Sequence, residues 1–98
     1  MERIFAKSTL REFWDTHADA KQPLLAWFGE AKKADWKKPA DILNQYSNAR
    51  IIGKDRAVFD IKGNDYRLVV SIRYDKGLVF IRFVGTHAEY DKIESVTV

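Results

Sequence analysis

The hydrophobic pattern of the chain changes its period near residue 49. Before that point, apolar side chains recur at spacings of three and four residues, as at Leu10, Phe13 and Trp14, which is typical of amphipathic helices. After it, apolar and polar residues alternate, which is the period of strands with one buried face. The pattern predicts an α+β fold in one domain of three parts: a helical part over residues 8–46, a β part over residues 49–85 and a C-terminal segment over residues 86–98.

Capping signals and prolines divide the helical part into three helices. Thr9 and Glu12 stand at capping-box spacing, a hydroxyl three residues before a carboxylate, which predicts a helix start at that point. This helix is interrupted before a second one begins near Asp19 or Pro23. Pro39 suits the first turn of a short third helix, because its missing N–H group is not needed there.

Four strands are expected in the β part, and a tight turn joins two of them. The dipeptide Gly63-Asn64 suits a two-residue hairpin loop of type II′. In that register Ile61 opposes Tyr66, and Phe59 opposes Leu68. The candidate strands cover residues 50–52, 56–62, 65–75 and 78–85.

The register sorts the strand residues onto two faces. A two-residue loop at Lys76-Gly77 keeps Arg82 off the apolar face, whereas a three-residue loop would bury it, and burying an unpaired arginine is costly. We therefore expect the helices to pack on one face of a small antiparallel sheet while a basic strip crosses the other. The apolar face is expected to carry Phe59, Ile61, Tyr66, Leu68, Val70, Ile72, Tyr74, Val79, Ile81 and Phe83. The opposite face is expected to carry Arg56, Asp60, Lys62, Arg67, Ser71, Arg73 and Arg82.

Composition narrows the classes of function. The net charge of +3 favours an anionic partner without proving one. The absence of cysteine excludes disulfides, thiolate metal sites and cysteine nucleophiles, and it makes a cytoplasmic location natural. The apolar runs are too short to span a bilayer, and the N-terminus has no apolar signal core, so no membrane partner is expected.

The C-terminal segment holds the side chains best suited to proton transfer. His87 is the only histidine of the β half, and Tyr90 follows it three residues later. Imidazole exchanges protons close to neutral pH, while arginine stays charged and binds phosphate through paired hydrogen bonds. With Arg67 and Arg82 on the sheet, these groups match the needs of metal-independent RNA cleavage: an acceptor for the 2′-hydroxyl proton, cations for the phosphate, and a donor for the leaving 5′-oxygen.

Each of these residues also has an ordinary structural interpretation. A lone histidine after a strand is more often structural than catalytic, the arginines could pair with residues such as Asp60, and Tyr90 could close an edge of the core. The carboxylates near His17 match no established metal-site spacing. We therefore expect neither a metal nor a cofactor.

Two blocks of sequence are specific when they are taken together. One is Gly63-Asn64-Asp65-Tyr66-Arg67-Leu68, and the other is Thr86-His87-Ala88-Glu89-Tyr90-Asp91. With Ala34-Asp35-Trp36 before them, they resemble the HigB toxin family, the RelE-like components of type II toxin–antitoxin systems. The resemblance covers nearly the whole chain, in order.

This resemblance implies a RelE-like fold and cleavage of messenger RNA, which in the broader family commonly takes place in the ribosomal A site. It also implies a HigA-type helix-turn-helix antitoxin, through which the complex would contact operator DNA. Arg67 would then lie near the scissile phosphate, His87 at a basic catalytic position and Tyr90 near a functional tyrosine. Lys62 would correspond to a lysine before the hairpin. Asp60 departs from the more lysine-rich strand of RelE, which makes His87 the better candidate for the base.

We therefore expect a cytoplasmic toxin that cleaves messenger RNA on the ribosome and thereby inhibits translation. Two other interpretations stay open: a non-catalytic module that binds RNA or the ribosome, and a domain that only binds an antitoxin. The expected catalytic residues are His87, Tyr90, Arg67 and Arg82. The expected RNA-binding residues are Lys62, Arg73, Arg56 and Lys92.

Overall fold

The helices and strands follow the change in hydrophobic period. The computed structural model describes residues 1–94 and 97–98. Along the chain the elements are β1 (Arg3–Phe5), α1 (Lys7–Thr16), a 3-10 turn (Ala18–Ala20), α2 (Lys21–Lys33), α3 (Pro39–Gln45), β2 (Arg50–Ile52), β3 (Arg56–Ile61), β4 (Tyr66–Arg73), β5 (Leu78–Thr86) and α4 (His87–Tyr90).

The strands form one five-stranded open sheet in the order β1-β5-β4-β3-β2. Four of the strands pair antiparallel, whereas β1 lies parallel to β5, with Phe5 beside Phe80. The α+β class and the RelE-like arrangement are confirmed. The strand β1 was not predicted, because three residues show no alternation of their own and the strand exists only through its distant partner.

The β3–β4 hairpin has the predicted register. Ile61 pairs with Tyr66 and Phe59 with Leu68, although the strands end at Ile61 and Tyr66, so the loop has four residues instead of two, and Gly63 within it has a φ of 64°. The register of the next hairpin was predicted wrongly, since Leu78 pairs with Arg73 and not with Asp75. A shift of two residues preserves the alternation of sides, so Val79 and Ile81 still face the core.

A β-bulge at Arg82 changes which residues of β5 face the core beyond that point. The register with β4 shifts between Val69 and Val70, and Arg82 is the extra residue. Beyond the bulge Phe83 lies opposite Val69, on the face away from the helices, so its predicted place on the apolar face is wrong. A bulge reverses the alternation of a strand, and Val84 takes the core-facing position instead.

The hydrophobic core lies between the helices and the inner face of the sheet. Phe59 is almost fully buried at its centre, with its ring 5.4 Å from that of Trp27 and 6.0 Å from that of Trp36, centroid to centroid. Leu10, Leu24 and other fully buried side chains fill the rest. Burial of each such side chain stabilises the fold by about 1.5–3 kcal/mol.

Two helix starts differ from the simplest sequence pattern. Helix α1 begins at Lys7, not at Thr9, because β1 leads into it through Ala6, which has a φ of 73° and accepts the Thr9 N–H group at 2.9 Å. Helix α2 begins at Lys21 after the 3-10 turn. Helix α3 starts at Pro39, as predicted.

The N-terminal amino group caps the C-terminal end of α2. The Met1 amino group donates to the carbonyl oxygens of Ala31 at 2.7 Å and Lys32 at 3.0 Å, which satisfies groups that a helix end leaves unpaired. Within the described residues, no helix has both the length and the apolar character needed to cross a bilayer.

Candidate active site

The sheet face away from the helices is covered at β3 and β4 and open at β1 and β5. On β3 and β4 the side chains of Val58 and Val69 are fully buried on this face. Helix α4 lies over this face and contacts β4 and β5. Val98 also lies over it, and its carbonyl accepts a hydrogen bond from Arg56 Nη2 at 3.2 Å. The expected continuous basic strip is therefore interrupted, and the open part lies on β1 and β5.

Arg67 lies inside the covered part and is only 5% exposed. Its Nη1 donates to the Asn64 carbonyl at 3.1 Å and lies 3.2 Å from Oδ1 of Asp60. The two residues face each other across β3 and β4, so the sheet register creates this ion pair. The guanidinium is thus held within the protein rather than presented to solvent.

A capping box fixes α4 at the end of β5. The Thr86 N–H donates to Glu89 Oε1 at 2.8 Å, and the Glu89 N–H donates to Thr86 Oγ1 at 3.1 Å. The hydrogen bond from the Thr86 backbone also holds the pKa of Glu89 below its ordinary value. The His87 N–H donates to the Asp65 carbonyl at 3.3 Å, which ties α4 to the β3–β4 turn.

His87 opens α4 with half of its side chain exposed. Its Nδ1 lies 3.1 Å from Oδ2 of Asp91, four residues later. Since an ionised carboxylate only accepts hydrogen bonds, Nδ1 is the donor in this contact, and Nε2 is left as the acceptor of the neutral ring. The arrangement prepares Nε2 to take a proton. Asp91 was quoted in the sequence motif without a role, although its spacing of four residues from His87 is the available signal.

Tyr90 ends α4 with its ring close to two arginines. The ring centroid lies 6.0 Å from Cζ of Arg67 and 5.7 Å from Cζ of Arg50. Arg50 is exposed on the edge strand β2, opposite Val58 and therefore on the same face as Arg67. Sequence reasoning missed Arg50. Extending the alternation of sides from β3 to the short strand beside it would have found it.

Arg82 lies away from this group. Its Nε donates to Ser71 Oγ at 3.0 Å, and Ser71 is about 13 Å from Arg67 along β4, at roughly 3.3 Å per residue. Arg73 pairs with Asp75 at 3.6 Å, beyond Arg82. The structure therefore brings together His87, Tyr90 and Arg67, but it leaves Arg82 and Arg73 further along the sheet.

The remaining predicted RNA contacts are divided between three places. Arg56 lies under the chain terminus and also pairs with Asp55 at 3.3 Å. Lys92 is exposed in the turn after α4. Lys62 has a φ of 54°, which turns its side chain towards the helices, where Nζ contacts Asp19 at 2.8 Å. Its predicted place on the opposite face is therefore wrong, because a positive φ breaks the alternation of the strand.

Asp19 is the centre of a small polar network beside the β3–β4 turn. It accepts hydrogen bonds from Lys62 and from the Tyr66 hydroxyl, and Lys62 also contacts Asp65 at 3.3 Å. The bond from Lys62, followed by that from Tyr66, lowers the pKa of Asp19. The same bonds raise the pKa of Lys62 and of Tyr66. The network ties the 3-10 turn to the β3–β4 hairpin.

Asp19→Asn is expected to flatten the acidic side of the stability profile. With its lowered pKa, ionised Asp19 contributes fully above its ordinary value of 3.8, and this contribution is lost as the pH falls through the lower pKa of the folded state. Urea denaturation between about pH 6 and about pH 2 measures the difference. Asp75→Asn is the control, since the ion pair of that exposed carboxylate among the described residues is the longer contact with Arg73, at 3.6 Å. Equal slopes for wild type and Asp19→Asn would contradict the expectation.

Gly85→Ala is expected to loosen α4. An added methyl group would lie 2.5 Å from Cζ of Phe83 and 3.0 Å from Oε1 of Glu89. Such overpacking costs about 1–3 kcal/mol and would push Glu89 out of the capping box. Urea unfolding and faster hydrogen exchange at the His87 amide would report it. Gly29→Ala is the control, because, outside its chain neighbours and the nearby backbone of its own helix, no heavy atom of the described residues lies within 4 Å of the added methyl group; unchanged His87 exchange in Gly85→Ala would count against the expectation.

Within residues 1–94 and 97–98, no three histidine, aspartate or glutamate side chains are grouped to hold a metal ion, and no enclosed pocket is present.

Comparisons with known proteins cover almost the whole chain. A family model of the HigB toxin, described as the RelE-like toxic component of a toxin-antitoxin system, matches residues 20–93. The mRNA interferase toxin HigB of Escherichia coli strain K12 is 26% identical over 96 residues, which covers 95% of this chain and 91% of that protein. The mRNA interferase HigB of Shigella flexneri matches with the same identity and coverage. The family match includes β2 to α4 and thus every residue of the group around Tyr90.

Proposed function

The chain belongs to the HigB toxin family, the RelE-like toxic components of toxin–antitoxin systems, and from that premise we propose that it is an endoribonuclease that cleaves messenger RNA on the ribosome. Its relatives in Escherichia coli and Shigella flexneri are named mRNA interferases. The proposed setting is the cytoplasm. The proposed partner is a helix-turn-helix antitoxin of the HigA type, whose complex with the toxin would bind operator DNA through the antitoxin.

One observation supports this function most directly. His87 presents a half-exposed ring whose Nδ1 is engaged by Asp91, which leaves Nε2 ready to accept a proton. Beside it, Tyr90 lies near two guanidinium groups, one exposed and one buried. A proton acceptor, a phenol and fixed positive charge at one end of a sheet are the groups that cleavage of a phosphodiester without a metal requires.

The proposed reaction assigns one role to each of these groups. His87 Nε2 takes the proton of the 2′-hydroxyl, the 2′-oxygen forms a bond to phosphorus, and the bond from phosphorus to the 5′-oxygen breaks. Tyr90 donates its phenolic proton to that leaving oxygen. The products are a 2′,3′-cyclic phosphate and a 5′-hydroxyl end. No cofactor takes part in any of these steps.

The two arginines would stabilise the phosphate in different ways. Arg50 is exposed and can bind a non-bridging oxygen directly. Arg67 is held by Asp60 and Asn64, so it acts as a positioning residue beneath Tyr90 and adds positive charge from within. Arg82 stands too far along the sheet for the same phosphate and is assigned to RNA binding.

Primer extension on messenger RNA after induced expression tests the proposal. New 5′-hydroxyl ends in translated messages are expected, and they should disappear when translation initiation is blocked. Cleavage that persists without ribosomes would remove the ribosome from the proposal. Salt-sensitive RNA binding without new ends would favour a non-catalytic RNA-binding module. Antitoxin binding with no effect on translation would favour a pure interaction domain.

A further inference from the structure

A row of aromatic and basic side chains crosses the open part of the sheet. The rings of Phe5 and Phe80 stack with centroids 5.0 Å apart and planes 13° from parallel. The guanidinium of Arg3 lies over Phe5 at 5.1 Å, and that of Arg82 lies over Phe80 at 5.4 Å. Parallel pairing of β1 with β5 sets Phe5 directly beside Phe80, so the sheet itself builds the row.

The rings of Phe5 and Phe80 are not part of the hydrophobic core. Phe5 and Phe80 lie on the face away from the helices, and neither packs against the core cluster of the described residues. Both stay partly exposed. Phe28 makes a useful contrast, since it is partly exposed and has Lys7 over its ring at 4.6 Å, but it packs against the core.

The positive charges of Arg3 and Arg82 in this row lack neighbouring counter-charges among the described residues. Neither Arg3 nor Arg82 forms an ion pair with a carboxylate among the described residues, whereas Arg73 nearby pairs with Asp75. An exposed cation over a ring is held more weakly than a nucleobase stacked on one. Each arginine can therefore move to a phosphate while a base takes its place on the ring, and Arg82 would exchange its hydrogen bond to Ser71 Oγ for one to the phosphate.

The row continues towards the proposed active site. The bulge at Arg82 turns both Arg82 and Phe83 to the open face. Gly85 has no side chain, and the Phe83 ring lies close above it, next to Glu89 of α4. The distance from Phe80 to Gly85 along β5 is about 16 Å. One strand thus connects the aromatic pair with the helix that carries His87.

We propose that Phe5, Phe80 and the flanking Arg3 and Arg82 form a stacking platform for single-stranded RNA, which holds the strand that enters or leaves the site at α4. The proposal rests on the proposed function for the identity of the RNA as substrate. Single-stranded nucleic acids are commonly bound by partly exposed aromatic rings on a sheet together with arginines. An acidic peptide would match the arginines but would gain little from two stacked rings.

A binding experiment separates this platform from the chemistry. The probe is a fluorescent 2′-O-methyl RNA dodecamer, which lacks the free 2′-hydroxyl and stays intact. In fluorescence anisotropy, Phe80→Leu is expected to weaken binding about fivefold to a hundredfold, the range for losing one stacked base. Phe80→Tyr should retain most of the affinity. Phe28→Leu is the matched control and should bind like wild type.

Arg82→Gln tests the same surface even if Phe80→Leu does not fold. Removal of one phosphate contact should reduce the slope of log affinity against log salt by about 0.7. Wild-type affinity in a folded Phe80→Leu protein, or an unchanged salt slope in Arg82→Gln, would overturn the platform. So would Phe80-dependent binding of a polyglutamate peptide with RNA binding unaffected.

The proposed function can fail separately. If the wild-type protein leaves translated messages intact but binds the dodecamer in a Phe80-dependent way, the platform stands and the nuclease does not. If the wild-type protein cleaves messages and Phe80→Leu binds and cleaves equally well, only the platform is removed.

Discussion

Replacing His87 with alanine is expected to slow messenger-RNA cleavage by about a hundredfold to ten-thousandfold, which is the range for losing a positioned general base. The variant removes Nε2, the proposed acceptor of the 2′-hydroxyl proton. The fold should be retained, because the side chain is half exposed and its polar contact is with Asp91 on the same short segment. Primer extension gives the cleavage rate, and growth arrest on induction gives the effect in cells.

The second histidine of the chain is the matched control. His17 ends α1 with its ring stacked on Phe13 at 4.1 Å between ring centroids, on the helical side of the sheet. His17→Ala should therefore cleave at nearly the wild-type rate. Asp91→Asn should produce a smaller loss than His87→Ala, since it removes the orientation of the ring but not the ring. Full toxicity of a folded His87→Ala protein would remove His87 from the chemistry.

Replacing Arg67 with alanine is expected to lower the free energy of unfolding by about 3–5 kcal/mol, which is the range for breaking a buried ion pair by removal of one partner. The side chains of Arg67 and Asp60 are 6% and 13% exposed. Without Arg67, the carboxylate of Asp60 stays nearly buried and has no ion-pair partner among residues 1–94 and 97–98. Urea denaturation at neutral pH measures the loss.

Arg73→Ala is the control for this prediction, because it lies on the same strand in an exposed pair with Asp75 and should change stability by at most about 1 kcal/mol. The double variant Arg67→Met, Asp60→Leu should recover most of the lost stability, since it buries no charge. If Arg67→Ala instead kept its stability and lost only cleavage, Arg67 would contact RNA directly and would not be a positioning residue.

The parts of the fold that sequence predicted were those with local signals. Gly63-Asn64 marked the β3–β4 turn, because glycine permits the positive φ that Gly63 adopts there, and the pairing of Ile61 with Tyr66 followed from it. Pro39 marked the start of α3 for a similar reason. Such signals act within a few residues and do not depend on the rest of the protein.

The parts that sequence did not predict depend on distant partners. No local signal marks the bulge at Arg82, and one extra residue was enough to move Phe83 to the other face. Strand β1 exists only through its pairing with β5. Lys62 left its expected face because the turn gave it a positive φ and Asp19 offered a carboxylate. Each case is decided by tertiary contacts.

In the candidate site too, local features were predicted from the sequence and contacts with distant segments were not. The motif drew attention to His87 and Tyr90, which do lie on one short helix. The environment of these residues did not follow from the motif. The burial of Arg67 against Asp60 depends on the packing of α4, whose Tyr90 ring lies beside Arg67. The approach of Arg50 to Tyr90 depends on the edge strand β2. Their proposed roles changed accordingly, since burial decides which arginine can reach a phosphate.

The parallel pairing of β1 with β5 has a consequence for the order of folding. β1 ends at Phe5 and β5 begins at Leu78, so all the other strands and the helices α1 to α3 lie between these two partners along the chain. Contacts between segments so far apart form only after the whole intervening chain has been ordered, which makes them late events in folding. The edge of the sheet beside β5, the strand that carries α4, is therefore completed late in folding. A partly folded chain would then lack β1, and with it the stacked pair of Phe5 and Phe80, even where the β3–β4 hairpin had already formed.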